Sequence, residues 1–116
     1  MSLIAFVAPI LPGKRDQWDA FIAEIAGPRH SEFNASRQRH GLHERTLLQE
    51  TPMGDVVLVT LEGDNPMEAF GAIANANDAF THWFVQQVQE IHGFDLRQPP
   101  ENPPHLILDS ETAIIA

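Results

Sequence analysis

Cysteine and tyrosine are both absent from the 116 residues of the chain. Without cysteine, the protein has no disulfide, no thiolate metal ligand and no thiol nucleophile. Without tyrosine, it lacks one common general acid. The apolar N-terminal stretch has no basic region ahead of it and no small-residue cleavage site after it, unlike a secretory signal. Together with the lack of cysteine, this pattern favours a cytoplasmic protein.

Basic residues are scarce, because 7 lysines and arginines stand against 16 acidic residues, for a net charge of -9. Nucleic-acid binding needs an excess of positive charge, so we expect no nucleic-acid partner. No stretch reaches the roughly 18–20 apolar residues that cross a bilayer, so we expect no membrane partner. Six of the 7 basic residues lie in residues 1–45. The plainest interpretation of the acidic remainder is a solvated surface that keeps the protein soluble.

The length predicts a single domain over residues 3–116, large enough for a hydrophobic core of its own. A compact chain of 12.9 kDa exposes roughly 6,300 Å². Apolar residues make up 43% and charged residues 20% of the chain, which excludes a wholly disordered protein.

Four segments have the pattern of strands. Residues 3–10 are an apolar run that ends at a proline- and glycine-containing breaker. Residues 42–50 and 55–62 flank a short turn and predict a hairpin. The run at 55–62 is apolar on both faces, which predicts a central strand covered on both sides. After a proline-rich loop, residues 105–109 are predicted as a strand, and the apolar tail at 112–116 is compatible with one more.

Helical periodicity fills the gaps between these strands. Residues 14–40 predict one long, bent helical arm, in which Gly27 and Pro28 end or kink the first helix before a second, polar helical stretch at about 29–40. Asn65 is a predicted N-cap, with Pro66 at the first helical position. A further helix begins after 75–77 and ends at Gly93; its apolar face consists of Phe80, Trp83, Phe84, Val88 and Ile91.

This order predicts an α+β fold of the ferredoxin-like β-α-β-β-α-β type, with an antiparallel sheet and the helices on one face. The other face of the strand at 55–62 is also apolar and needs a cover. A second copy of the chain is the most economical cover, so we predict a homodimer with two-fold symmetry.

The element order resembles the dimeric α/β-barrel superfamily, which includes small cofactor-free monooxygenases of antibiotic biosynthesis, haem-degrading enzymes and stress-response proteins. The strings PILPGK, SRQRHGL and AFTHWF, at 9–14, 36–42 and 79–84, are similar to a family of uncharacterised bacterial proteins. The resemblance implies a dimeric α/β barrel that needs no cofactor. Haem-degrading members carry a tryptophan and a histidine that Trp83 and His92 would supply, but residues 3–10 lack the asparagine of those enzymes.

The six histidines do not predict a metal site. His40 and His43 lie on either side of a predicted helix end, so their directions are not fixed together. His82 and His92, ten residues apart on one helix, point roughly 80° apart and lie roughly 15 Å apart along the axis. A metal site needs three or four converging ligands.

The basic residues of 29–45 suggest an anion pocket instead. His30, Phe33, Arg37 and His40 recur on one predicted helical stripe, and guanidinium groups bind carboxylates and phosphates. The alternative is that these arginines form ion pairs with acidic residues of the chain or of a second copy.

Two functional hypotheses follow. In the first, the protein is a small oxygenase-like enzyme whose pocket lies between sheet and helices, with Phe6 on one wall, and takes an aromatic or carboxylate substrate. In the second, it is a non-catalytic dimeric module that binds a small anionic ligand or a partner protein. The candidate catalytic residues are His43, Arg45, His82 and Trp83, and the candidate ligand-binding residues are Arg37, His40, Phe80, Phe84 and His92.

Overall fold

The computed structural model describes residues 2–112, which fold in the order β-α-α-β-β-α-α. The strands are β1 (Ser2–Pro9), β2 (His43–Thr51) and β3 (Gly54–Gly63). The helices are α1 (Arg15–Ala26), α2 (His30–Gln38), α3 (Pro66–Ala74) and α4 (Ala79–His92). None of these helices is long and apolar enough to cross a membrane.

The three strands of the described chain form one antiparallel sheet in the order β1-β3-β2. The hairpin between β2 and β3 closes through Thr51, whose hydroxyl donates to the carbonyl of Gly54 at 2.6 Å. Gly54 has a φ of 127°, which favours glycine because it has no side chain. The prediction that the apolar run at 55–62 forms the central strand is confirmed.

Capping residues set the bounds of the last two helices. The side chain of Asn65 accepts from the backbone N–H of Glu68 at 3.5 Å, and Asp78 accepts from that of Thr81 at 2.8 Å. Gly93 ends α4 in the left-handed conformation, with a φ of 84°. The predicted N-cap at Asn65 and the predicted end at Gly93 are therefore confirmed.

Residues of all four helices pack against one face of the sheet. The larger part of the core joins this face to α1 and α4; its buried members include Ala8, Val57, Trp18, Phe21, Phe80, Phe84 and Ile91. A smaller part packs α3 against the far end of the sheet, where Ile73 contacts the cluster around Leu61. Successive side chains of a strand point to opposite faces of the sheet. The apolar side chains that point toward the helices therefore belong to these two parts of the core.

The opposite face of the sheet is open in the single chain. Val7, Leu58 and Leu47 lie side by side across β1, β3 and β2, because Leu58 pairs in register with both of the others. Val7 is 66% exposed and Leu47 is 53% exposed. We refer to this side of the sheet as the open face.

The predicted fold class, a ferredoxin-like β-α-β-β-α-β domain of a dimeric α/β barrel, is wrong. The sheet has three strands within residues 2–112, and residues 105–109 lie outside it and form no strand. Leu106, Ile107 and Leu108 in this segment are exposed. An apolar run indicates extended backbone, but a strand also needs a paired neighbour, and the run itself does not specify one.

The predicted helical arm at 14–40 consists of two separate helices, α1 and α2, joined by residues 27–29, so that of the two outcomes predicted for Gly27 and Pro28 the helix ends and does not kink. Pro28 has no N–H to continue the helical hydrogen bonds, so α1 ends before it and a new helix, α2, begins at His30. The further strand considered at 112–116 lies outside the described residues, apart from Thr112.

Candidate functional site

A buried ion pair joins the end of α2 to the beginning of β2. Between these elements, Gly41 takes a φ of 63° and the N–H of Leu42 donates to the carbonyl of Arg37 at 3.0 Å. This tight turn places Arg37 beside Glu44. The Arg37 Nε donates to the Glu44 Oε1 at 2.8 Å, and the two side chains are only 4% and 5% exposed.

Aromatic rings and a hydroxyl surround the rest of this guanidinium. Its Nη1 donates to the Ser36 Oγ at 2.9 Å. Its Cζ lies 4.4 Å from the ring centre of Phe33 and 4.7 Å from that of Phe84, which are cation–π distances. The remaining nitrogen, Nη2, is buried and has no hydrogen-bond partner within residues 2–112. An unsatisfied buried donor is destabilising and is rare in native proteins.

Arg37 also lines a small cavity of about 10 Å³, which has room for one water-sized group. The rest of the lining comes from α3, α4 and the segment after α4: Phe70, Ile73, Ala74, Thr81, Phe84, Val85 and Leu96. Apart from Arg37, only Thr81 brings a polar side chain. The Thr81 hydroxyl already donates to the Asp78 Oδ2 at 3.1 Å. The lining is thus apolar apart from Arg37 and Thr81, and we call this space the Arg37 cavity.

The structure does not bring the candidate catalytic residues together. His43 and Arg45 lie exposed on the open face, where Arg45 is paired with Glu62 and lowers the pKa of that carboxyl through this hydrogen bond. His82 and Trp83 belong to α4, on the other side of the sheet. His82 is exposed in a shallow surface groove of about 620 Å³ near the C-terminus of α3.

The region expected to hold a pocket between sheet and helices is filled by packed rings. Trp83 is half-buried, with its ring centre 5.8 Å from that of Phe80 and 5.4 Å from that of Phe21. The guanidinium of Arg29 lies 4.3 Å from the same indole. On the sheet side, Phe6 packs against the ring of Phe70.

Of the candidate ligand-binding residues, Arg37 and Phe84 meet at the Arg37 cavity. Phe80 lies in the adjacent core, and His40 is exposed beyond the end of α2. His92 lies at the other end of α4, where its Nδ1 is 2.8 Å from the Pro9 carbonyl oxygen. Burial lowers the pKa of this imidazole, although the hydrogen bond to Pro9 acts in the opposite direction.

The ion-pair alternative for the basic segment agrees with most of its arginines. Arg29 lies within 3.6 Å of carboxyl oxygens of Glu24 and Glu32, and Arg45 is paired with Glu62. Arg37 differs from these surface pairs because it is buried and only partly satisfied.

Sequence reasoning did not identify Glu44, Thr81 or Leu96 as parts of this site. Glu44 could have been found from the sequence, because it lies on the same side of β2 as Leu48, and Leu48 packs against the core. A charged residue on the core side of a strand needs a buried partner. The sequence does not point to Leu96, because this residue follows the C-terminus of α4 in a segment without hydrophobic periodicity.

Residues 2–112 hold no group of three or more side chains that could together bind a metal ion. No protein-family model matches the chain, and no curated protein is significantly similar to it. The resemblance to a known superfamily therefore stays a prediction.

Proposed function

We propose that this protein is a self-associating binding module, in which two copies pack the open faces of their sheets against each other. The observation that carries the proposal is the difference between the two faces of one sheet. Helices pack against one face and bury Ala8, Val57 and Leu61, whereas Val7, Leu58 and Leu47 form an apolar row across the other face. Removing such a row from water favours association, because the hydrophobic effect grows with the apolar area that is buried.

The chain exposes more surface than a compact chain of its mass. The chain exposes 7573 Å², compared with roughly 6,300 Å² for a compact monomer of the same mass. The excess is on the order of 1,200 Å². The open face and the exposed apolar residues Leu106, Ile107 and Leu108 account for part of this excess.

The charge pattern favours a second copy as the partner. The chain carries a net charge of -9, so two copies repel unless they meet through a surface of low charge. The open-face residues of β1 are uncharged, and on β2 Arg45 is neutralised by Glu62. A face with an apolar row and paired charges can pack against a second copy of itself, as a two-fold interface requires.

Binding rather than catalysis is the role that the candidate residues support. His43 and Arg45 point away from the helices, and the opposite side of the sheet carries His82 and Trp83. General acid–base chemistry needs its groups within hydrogen-bond reach of one substrate. These four side chains do not share such a point in one chain.

Light scattering on the size-exclusion eluate tests self-association. We expect the wild-type protein to elute with twice the 12.9 kDa chain mass. Leu58→Lys and Val7→Lys each place a charge on the open face and should give folded monomers, because the interface would bury an unpaired ammonium. Met53→Lys is the matched control, since Met53 is 98% exposed in the hairpin turn and should leave the dimer unchanged. A wild-type monomer, or open-face variants that remain dimeric, would refute the proposal.

A further inference from the structure

The outer edge of β1 presents backbone groups that are free to pair. Ile10, directly after β1, donates its N–H to the Asp55 carbonyl of β3 at 3.0 Å. Backbone groups of successive residues point to opposite sides of an antiparallel strand, so those of Leu3, Ala5 and Val7 point away from β3. No other strand of the described chain lies beyond β1, and no backbone hydrogen bond from elsewhere in residues 2–112 reaches these groups. We call this row of groups the β1 edge.

The segment at 105–109 has the opposite problem, because it has the composition of a strand and no neighbour. Leu106, Ile107 and Leu108 are exposed, and residues 99–108 make no hydrogen bond within the described chain. We propose that residues 105–109 of one copy of the protein add as a strand to the β1 edge of a second copy. Each copy then gives one strand and receives one.

The β1 edge and the segment match in length. Pro9 limits the edge, because it has no N–H and its carbonyl oxygen lies 2.8 Å from the Nδ1 of His92. The groups that are free to pair therefore span residues 3–7, and residues 105–109 form a stretch with the same number of residues. When the two centres are aligned, Ile107 lies opposite Ala5. Pairing also removes the exposed leucine and isoleucine side chains from water, which favours it.

The charges on the two outer strands favour β1 over β2. Charged side chains on an edge strand discourage pairing with another chain. The outer strand β2 carries several of them, including Glu44, Arg45 and Glu50. In contrast, β1 has no charged residue over its whole length. An uncharged, unpaired edge is one that native proteins normally cover, and an apolar segment of a second copy provides such a cover.

The connection between α4 and the segment favours pairing with a second copy over pairing within one chain. Pro99, Pro100, Pro103 and Pro104 restrict its φ angles, and proline-rich connections act as semi-rigid spacers. In the described chain this connection leads residues 105–109 outside the sheet and not back to β1. The exchange of identical elements between copies is a low-cost route to a two-fold dimer.

This inference deepens the proposed self-association and rests on it, because the segment needs a second copy close by. The fold of each chain stays as described, and the added strand comes from the partner. A strand of this length is only marginally stable without other contacts. We therefore expect Leu58→Lys, which removes the contact between the open faces, to dissociate the exchanged dimer as well.

The absence of cysteine allows a selective cross-link between copies. Chains with Ala5→Cys and chains with Ile107→Cys are produced together in one cell, mildly oxidised and analysed by intact-mass spectrometry. Opposite residues of paired strands have Cβ atoms roughly 4.5–5.5 Å apart, close to the separation in a disulfide. We expect the mixed disulfide dimer to be the main covalent product. Because each chain has one cysteine, this product forms only between two copies.

Two further sets of chains complete the cross-linking experiment. Leu3→Cys and Val7→Cys, each used in place of Ala5→Cys, detect a pairing that is shifted along the β1 edge. Met53→Cys is the matched control, because Met53 is exposed in the hairpin turn. It should give no excess of mixed disulfide with Ile107→Cys.

Amide hydrogen exchange measures the same pairing without a covalent link. The N–H groups of Leu3, Ala5 and Val7 should exchange at least roughly tenfold more slowly in the wild type than in Ile107→Pro, because proline removes a donor from the added strand. Glu101→Pro is the control, since it adds a proline to the exposed connection and should leave exchange unchanged.

The outcomes separate this proposal from the packing of the open faces. A wild-type dimer that gives no excess of mixed disulfide at any of the three β1 positions overturns the exchange and leaves self-association standing. Slow exchange of the β1 amides without a mixed disulfide means that the segment pairs within its own chain, which also overturns it. A mixed disulfide in a Leu58→Lys protein that stays dimeric supports the exchange and refutes the open-face contact. A wild-type monomer refutes both.

Discussion

Arg37 and Glu44 form a salt bridge inside the protein that fastens the end of α2 to the beginning of β2, with 2.8 Å between Nε and Oε1. Both charges have lost their hydration, so each depends on the other. Such a pair adds little net stability over apolar side chains of the same volume, yet losing one member is costly. The pair therefore makes this junction sensitive to single substitutions.

We predict that Glu44→Gln lowers the free energy of unfolding by about 3–5 kcal/mol, because it leaves the Arg37 guanidinium buried without a counter-charge. The double variant, in which Glu44→Gln is combined with Arg37→Met, should recover most of this loss. Urea unfolding followed by circular dichroism measures both, at one fixed protein concentration, because association also stabilises the folded state. A single variant as stable as the wild type would contradict a buried, mutually dependent pair.

The strands and helix ends of this fold could be predicted from local sequence because their causes are local. Asn65 caps a helix through its own side chain, and Gly93 ends one because glycine tolerates a positive φ. The apolar run of β3 likewise predicts a central strand, and β3 is the central strand of the sheet, although the cover predicted for its second side is not part of the single chain. None of these features depends on a distant part of the chain.

The partners of the strands could not be predicted in this way. Residues 105–109 have the composition of a strand, but pairing is decided by which backbone groups are available elsewhere in the fold. The residues of the candidate site could not be predicted for the same reason. His43 and Arg45 share a face with each other, but the face that β2 turns to the helices carries Glu44, and only the register fixes this choice.

A second prediction concerns Asp78 at the N-terminus of α4. Its Oδ1 accepts from the Thr81 N–H at 2.8 Å and its Oδ2 from the Thr81 hydroxyl at 3.1 Å. Asp78→Ala should lower the free energy of unfolding by about 1 kcal/mol at neutral pH, because the first turn loses this acceptor. Asp78→Asn should lose less, since the amide oxygen can still accept.

The same residue predicts a pH dependence with a defined sign. The backbone hydrogen bond from Thr81 lowers the pKa of Asp78 below its usual 3.8 in the folded protein. Its stabilising effect is therefore complete above the unfolded pKa and is lost as the pH falls through the folded one. Urea unfolding of wild type and Asp78→Asn from about pH 7 to about pH 2.5 should show the wild type losing its advantage in acid. A constant difference across this range would contradict the prediction.

A third prediction separates backbone strain from steric contact at two glycines. Gly93 and Gly41 both have a positive φ, at 84° and 63°. A Cβ at position 93 would lie 3.3 Å from the Leu11 Cδ1, whereas at position 41 no atom of the described chain lies within 4 Å. Gly41→Ala should cost about 1–2 kcal/mol of stability from the left-handed conformation alone, and Gly93→Ala more. Thermal unfolding measures both, and equal losses would show that Leu11 moves aside freely.

The last prediction concerns His92, which joins the end of α4 to the end of β1 through the Pro9 carbonyl, 2.8 Å from its Nδ1. Burial lowers the pKa of this imidazole below its ordinary 6.5, because the charged form loses hydration. The unfolded chain therefore binds a proton at higher pH than the folded protein does. The folded state should lose stability as the pH falls from about 6.5 through the folded pKa, and regain it in the opposite direction.

His92→Asn isolates this effect, since its amide can donate to Pro9 from nearly the place of Nδ1 and does not titrate. Between about pH 7.5 and about pH 5, the free energy of unfolding should fall more steeply for the wild type than for the variant. NMR titration of the imidazole Cε1 proton measures the folded pKa directly and should give a value below 6.5. If that pKa lies at or above 6.5, hydrogen bonding to Pro9 outweighs burial, and the sign of the pH dependence reverses.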